Sequence, residues 1–95
     1  MTREVTPLDE RLAHELDRAR LLLEEMGDEL ATDIEVVNSH YVALQTVDIV
    51  MQIVGHIANV VRAEDQVDAV DNIGMHELKM KLKAVLGEEA CEKAA

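Results

Sequence analysis

Five polar residues along one stretch of the chain carry its clearest chemical potential: Gln45, Asp48, Gln52, His56 and Asn59. At about 100° per residue, a helix sets these side chains on one narrow stripe. Asp48 and Gln52 stand one turn apart on it, a carboxylate beside an amide. An amide so placed can orient an attacking water, and a carboxylate can hold a lysine or a metal-bound group of a target. The pair supplies only part of a hydrolytic site, so a phosphorylated partner protein has to bring the rest. The same residues also read as the wet side of a core helix, or as a polar ladder setting the register of a dimer interface. The structural reading is preferred, because an Asp followed four residues later by Gln is common by chance.

A second candidate is His76-Glu-Leu-Lys79-Met80, where an exposed imidazole could accept a phosphoryl group. Elsewhere the chemistry thins out. His14, His40, His56 and His76 make no i,i+4 pair, and no Glu-x-x-His occurs, so no metal site and no cofactor are expected. Ser39 and His40 are adjacent and point different ways, Cys91 is alone in a polar tail, and there is no glycine-rich phosphate loop.

The elements that position these residues are helices. Thr6-Pro7 is a helix entry, followed by Asp9 and Glu10 in the first turn. Leu8, Leu12, Leu16, Ala19, Leu23, Met26 and Leu30 then recur at steps of three and four, which predicts an amphipathic helix over about 7–28, weakened by Gly27-Asp28. Thr32-Asp33-Ile34-Glu35 matches a capping box and opens a second helix over about 33–62. Between Val36 and Val61 the only charge is Asp48 and the only glycine is Gly55, so this helix is expected to be mostly buried. Glu64-Asp65-Gln66 reads as a turn and cap before a short helix at about 66–73, whose face is Val67, Val70 and Ile73. After Gly74, Met75, Leu78, Leu82 and Val85 define a last helix at about 75–86, with Gly87 ending it and 87–95 a flexible tail.

The chain has 95 residues, enough for one domain over 1–86 with a modest core; a chain this size buries about two-thirds of its unfolded surface. It is 48% hydrophobic but 1% aromatic, with Tyr41 the single ring. A core of Leu, Val, Ile, Met and Ala favours interlocked helices over a sheet sandwich. The second helix is apolar over more of its circumference than one narrow partner stripe covers. The predicted architecture is therefore all-α: a helical hairpin with short C-terminal helices, pairing with a second copy as a four-helix bundle.

Twenty acids against nine bases give a net charge of −11, which disfavours nucleic acid and anionic lipid as partners. The window from Val42 to Val61 has the length of a membrane span. It contains all five stripe residues, however, and a mid-bilayer Asp alone costs about 2.5–3.5 kcal/mol, so a core helix of a cytoplasmic protein is expected. One cysteine and a polar N-terminus fit that compartment.

On the Asp48-Ile-Val-Met-Gln52 stretch the chain resembles the chemotaxis response-regulator phosphatases of the CheZ type. That resemblance implies a dimeric hairpin bundle in which Asp48 positions the target and Gln52 orients the water, with a response-regulator receiver domain as partner. The family usually reads Asp-Leu-Thr-Gly-Gln, and the resemblance covers one helix. His76-x-Leu-Lys79 is similar to the core of histidine phosphotransfer domains, with Met80 where they carry glycine. The preferred reading is a non-catalytic protein–protein interaction module, a homodimer serving another cytoplasmic protein in bacterial signalling. The alternative is a receiver-domain phosphatase or a phosphotransfer protein.

Overall fold

The computed structural model describes the backbone of residues 2–94 and the side chains of residues 2–87. Four helices follow one another: α1 (Pro7–Ala31), α2 (Ile34–Arg62), α3 (Gln66–Asp71) and α4 (His76–Ala94). The all-α prediction holds, and there is no strand among the described residues.

Helix α1 starts as its sequence dictates. The Thr6 hydroxyl accepts from the Asp9 N–H at 3.0 Å while the Asp9 carboxylate accepts from the Thr6 N–H at 3.1 Å, with Pro7 in the first turn. The helix runs past Gly27-Asp28 to Ala31. Its last turns lie against α2, where a Cβ on Gly27 would sit 3.8 Å from Val47, so packing holds what propensity alone leaves weak.

The predicted Thr32–Glu35 capping box does not form. The Thr32 hydroxyl donates back to the Glu29 carbonyl at 2.7 Å and so closes α1. Asp33 caps α2 instead, accepting from the N–H groups of Glu35 at 2.9 Å and Val36 at 3.4 Å. A carboxylate one residue nearer, with a charge that suits the helix N-terminus, wins over the hydroxyl. Helix α2 is also not one uniform rod. His40, at φ −130° and ψ 27°, breaks the helical geometry just after Asn38 and Ser39, two weak helix formers.

Helices α1 and α2 pack antiparallel as a hairpin. Their seam runs through small residues: Ala13 is 2% exposed, Ala58 is fully buried, and Gly27 and Gly55 lie on the same line. Leu16 and Leu23 are half-buried beside them. The rest of the predicted α1 stripe is turned away, with Leu8, Leu12, Met26 and Leu30 all exposed. The axis of contact is displaced by roughly a quarter turn from the centre of the apolar stripe.

This seam leaves α2 far less buried than its composition predicts. Ala58 is its one buried residue, while Tyr41, Val42, Ile49 and Val50 are exposed. Among the described residues the buried apolar side chains are Ala13, Ala58, Val70 and Ile73. The accessible surface is 7050 Å², against about 5,500 Å² for a compact monomer of this mass. The radius of gyration is 16.6 Å, where a compact domain of this length has about 12 Å.

The C-terminal helices add little cover to the hairpin. Asp65 caps α3, accepting from the Asp68 N–H at 3.0 Å, and α3 turns Val70 and Ile73 inward and packs on α2. Val67, predicted on that face, is 49% exposed. Helix α4 packs chiefly on α3. It stays helical through Gly87, beyond the predicted end at 86, and Leu86 is half-buried where Val85 is exposed. The side chain of Cys91 and the predicted flexibility of 87–95 lie outside what is described.

Candidate functional site

The displaced seam divides the hairpin into two unlike flanks. On one, the α1 residues Leu12, Met26 and Leu30 and the α2 residue Val50 present an exposed apolar surface. The exposed Thr46 of α2 satisfies its hydroxyl on its own helix, donating to the Val42 carbonyl at 3.0 Å. The most apolar window of α2 has a mean hydropathy of 1.3, and 6% of it is buried. By length and composition α2 could cross a membrane; the polar stripe along its full length would then lie in hydrocarbon.

The other flank carries that stripe, and here the hairpin is grooved. The larger groove, of roughly 810 Å³, is walled by His14, Asp17, Arg18, Arg20 and Leu21 of α1 and by Met51, Gln52, His56, Asn59 and Arg62 of α2, with Gly55 in its floor. A smaller groove toward the hairpin turn is lined by Glu24 and Asp28 of α1 and by Leu44, Asp48 and Met51 of α2. The larger groove is basic, with Arg18, Arg20 and Arg62 against Asp17, and the smaller one is acidic; beside the basic groove, at the open end, a third groove that shares His14, Asp17 and Arg62 is also lined by Glu10 and Glu64.

Of the sequence-predicted stripe, Gln52, His56 and Asn59 enter the basic groove, Asp48 the acidic one, and Gln45 is exposed outside both. Asp48 and Gln52 are exposed, and neither makes a hydrogen bond or ion pair among the described residues. His76 is the exposed first residue of α4 and lines neither groove.

Sequence reading did not find the ties that close the open end. Arg62 donates to the Ala13 carbonyl at 3.3 Å and pairs with Asp17 across the hairpin. Arg3 draws the N-terminal arm over the end of α2: its N–H donates to the Glu64 carbonyl at 2.7 Å, and its guanidinium reaches the Val61 carbonyl and Asp9, the latter at 2.7 Å. The Thr6 N–H and then the Arg3 guanidinium hold the Asp9 carboxyl below its ordinary 3.8. The hydrogen bond and charge of Lys83 lower the carboxyl of Asp71 in the same way, joining α3 to α4 at 2.7 Å.

No protein-family model matches the chain, no curated protein is similar to it, and no solved structure matches its fold.

Proposed function

We propose that the chain is a non-catalytic interaction module that works as a homodimer, two hairpins joining by their apolar flanks into a four-helix bundle. The observation that carries this reading is the exposure of fourteen large apolar residues among those described, with Leu12, Met26, Leu30 and Val50 on a single flank. A patch of that kind is rare on a free monomer and marks an association surface. The excess surface over a compact monomer is on the order of 1,500 Å² per chain, more than the roughly 800 Å² that each partner buries in a standard stable interface. Pairing the apolar flanks leaves both grooved flanks outward, free for another protein of a bacterial cytoplasmic signalling system. The test is the mass of the chain by light scattering at micromolar concentration. A dimer is expected, and a monomeric mass, or recovery only with lipid or detergent, would sink the reading.

A second reading is favoured by the free, exposed state of Asp48 and Gln52: the pair could act on a phosphorylated receiver domain that docks on the polar flank. Phosphate release from a panel of such domains should then quicken with the wild-type chain and not with Gln52→Ala. No acceleration by the wild type removes this reading.

A further inference from the structure

The geometry points to the basic groove as a binding site for a phosphate monoester carried on a small apolar body. In a chain with twenty acids and nine bases, free cations facing a cavity are unexpected. Yet Arg18 and Arg20 both line this groove, exposed and without a hydrogen bond or ion pair among the described residues. The one carboxylate in the groove, Asp17, is already paired with Arg62. The remaining polar lining consists of His14, Gln52, His56 and Asn59, all able to donate an N–H. The groove therefore offers donors from both helices, and the carboxylates nearest to its free arginines are the paired Asp17 and, in the adjoining groove, Glu10 and Glu64.

The charge and shape narrow the ligand. Guanidinium forks bind planar pairs of oxyanion oxygens, and a monoester dianion has three terminal oxygens that donors from α1 and α2 can share. A carboxylate has two and would engage one wall. The apolar part of the lining is Leu21 and Met51, and Gly55 lets the Arg20 stem come down on α2, since a Cβ there would stand 3.3 Å from the Arg20 Cδ. Those two side chains suit a ring or short hydrocarbon behind the phosphate, and the groove volume falls within the usual range of small-molecule sites, about 300–1,000 Å³. The site stands independently of the homodimer and of any chemistry at Asp48.

The experiment titrates the full chain with phenyl phosphate, phenol, inorganic phosphate and benzoate at fixed ionic strength, following backbone and imidazole NMR signals. Saturable one-to-one binding of phenyl phosphate is expected, with shifts at His14 and His56 and an affinity at least tenfold above that of each comparator. Arg18→Gln with Arg20→Gln should weaken it at least tenfold, and Asn59→Ala should weaken it severalfold from the other wall. Lys79→Gln with Lys83→Gln, which removes the same charge elsewhere, should leave it unchanged. Equal loss in the lysine variant would reduce the effect to general electrostatics and overturn the proposal. So would equal binding of inorganic phosphate or benzoate, or retained affinity in the arginine variant.

Discussion

The two flanks of the hairpin share the same pair of helices and differ in almost every physical respect. One presents exposed apolar side chains, the kind of surface that water covers at a cost of about 25 cal/mol per Å². The other is grooved, polar and divided by charge, with side chains that water solvates well. The division follows from where the seam falls. Small residues at Ala13, Gly27, Gly55 and Ala58 let the helices meet closely, off the centre of the α1 apolar stripe, so Leu12, Met26 and Leu30 fall to one side and the polar stripe of α2 to the other.

Charges placed on each flank should break this symmetry of scaffold most visibly. Met26→Glu with Val50→Glu buries two carboxylates in the proposed dimer interface, and the dimer dissociation constant should rise a hundredfold or more, since each uncompensated buried charge costs several kcal/mol. Gln52→Glu on the grooved flank should leave the mass by light scattering unchanged. Equal masses for all three proteins would show that the apolar flank is not the interface.

The seam itself is the next target. Ala58→Leu inserts a large side chain at a position with no exposure, and the resulting overpacking should cost about 1–3 kcal/mol in urea unfolding. A loss below about 0.5 kcal/mol would mean that the helices can separate freely there. Gly27→Ala should act in the opposite direction. The added methyl meets Val47 at ordinary van der Waals distance, so the helix-propensity gain of up to about 1 kcal/mol survives, and thermal unfolding should shift upward.

The smallest effect is acid sensitivity at the open end. Because Asp9 has a lower pKa folded than unfolded, its contribution is full above the ordinary 3.8 and disappears as pH falls through the lowered folded value. Asp9→Asn should make stability flatter with pH in that acid window, with little change near neutrality beyond a constant offset. An unchanged acid profile would show that the Arg3 arm does not hold the carboxylate in solution.

Much of the skeleton was readable from residue types. Thr6-Pro7 and Asp65 announce their helices because a cap is a local affair of side chain and nearby N–H groups. The Thr32 box misled because two capping residues adjoin, and only the backbone geometry decides between them. The seam was hidden for a deeper reason. Hydrophobic periodicity marks which face avoids water, not which part of it a neighbouring helix will meet, and here Leu8 and Leu12 belong to the face but not to the contact. The stripe from Gln45 to Asn59 was visible on one helix, whereas the basic groove needs Arg18 and Arg20 from the other. The available signal was the clustering of two arginines and His14 within two turns of an acidic chain.

The uncovered apolar flank makes abundance a structural variable. In the proposed dimer, folding stability depends on how often a chain meets its twin, and each tenfold dilution removes about 1.4 kcal/mol from the assembled state. A cell holding few copies would then carry a larger unpaired fraction, open to chaperones and proteases. Its level of expression would set not only how much of the module exists but how long each copy lasts.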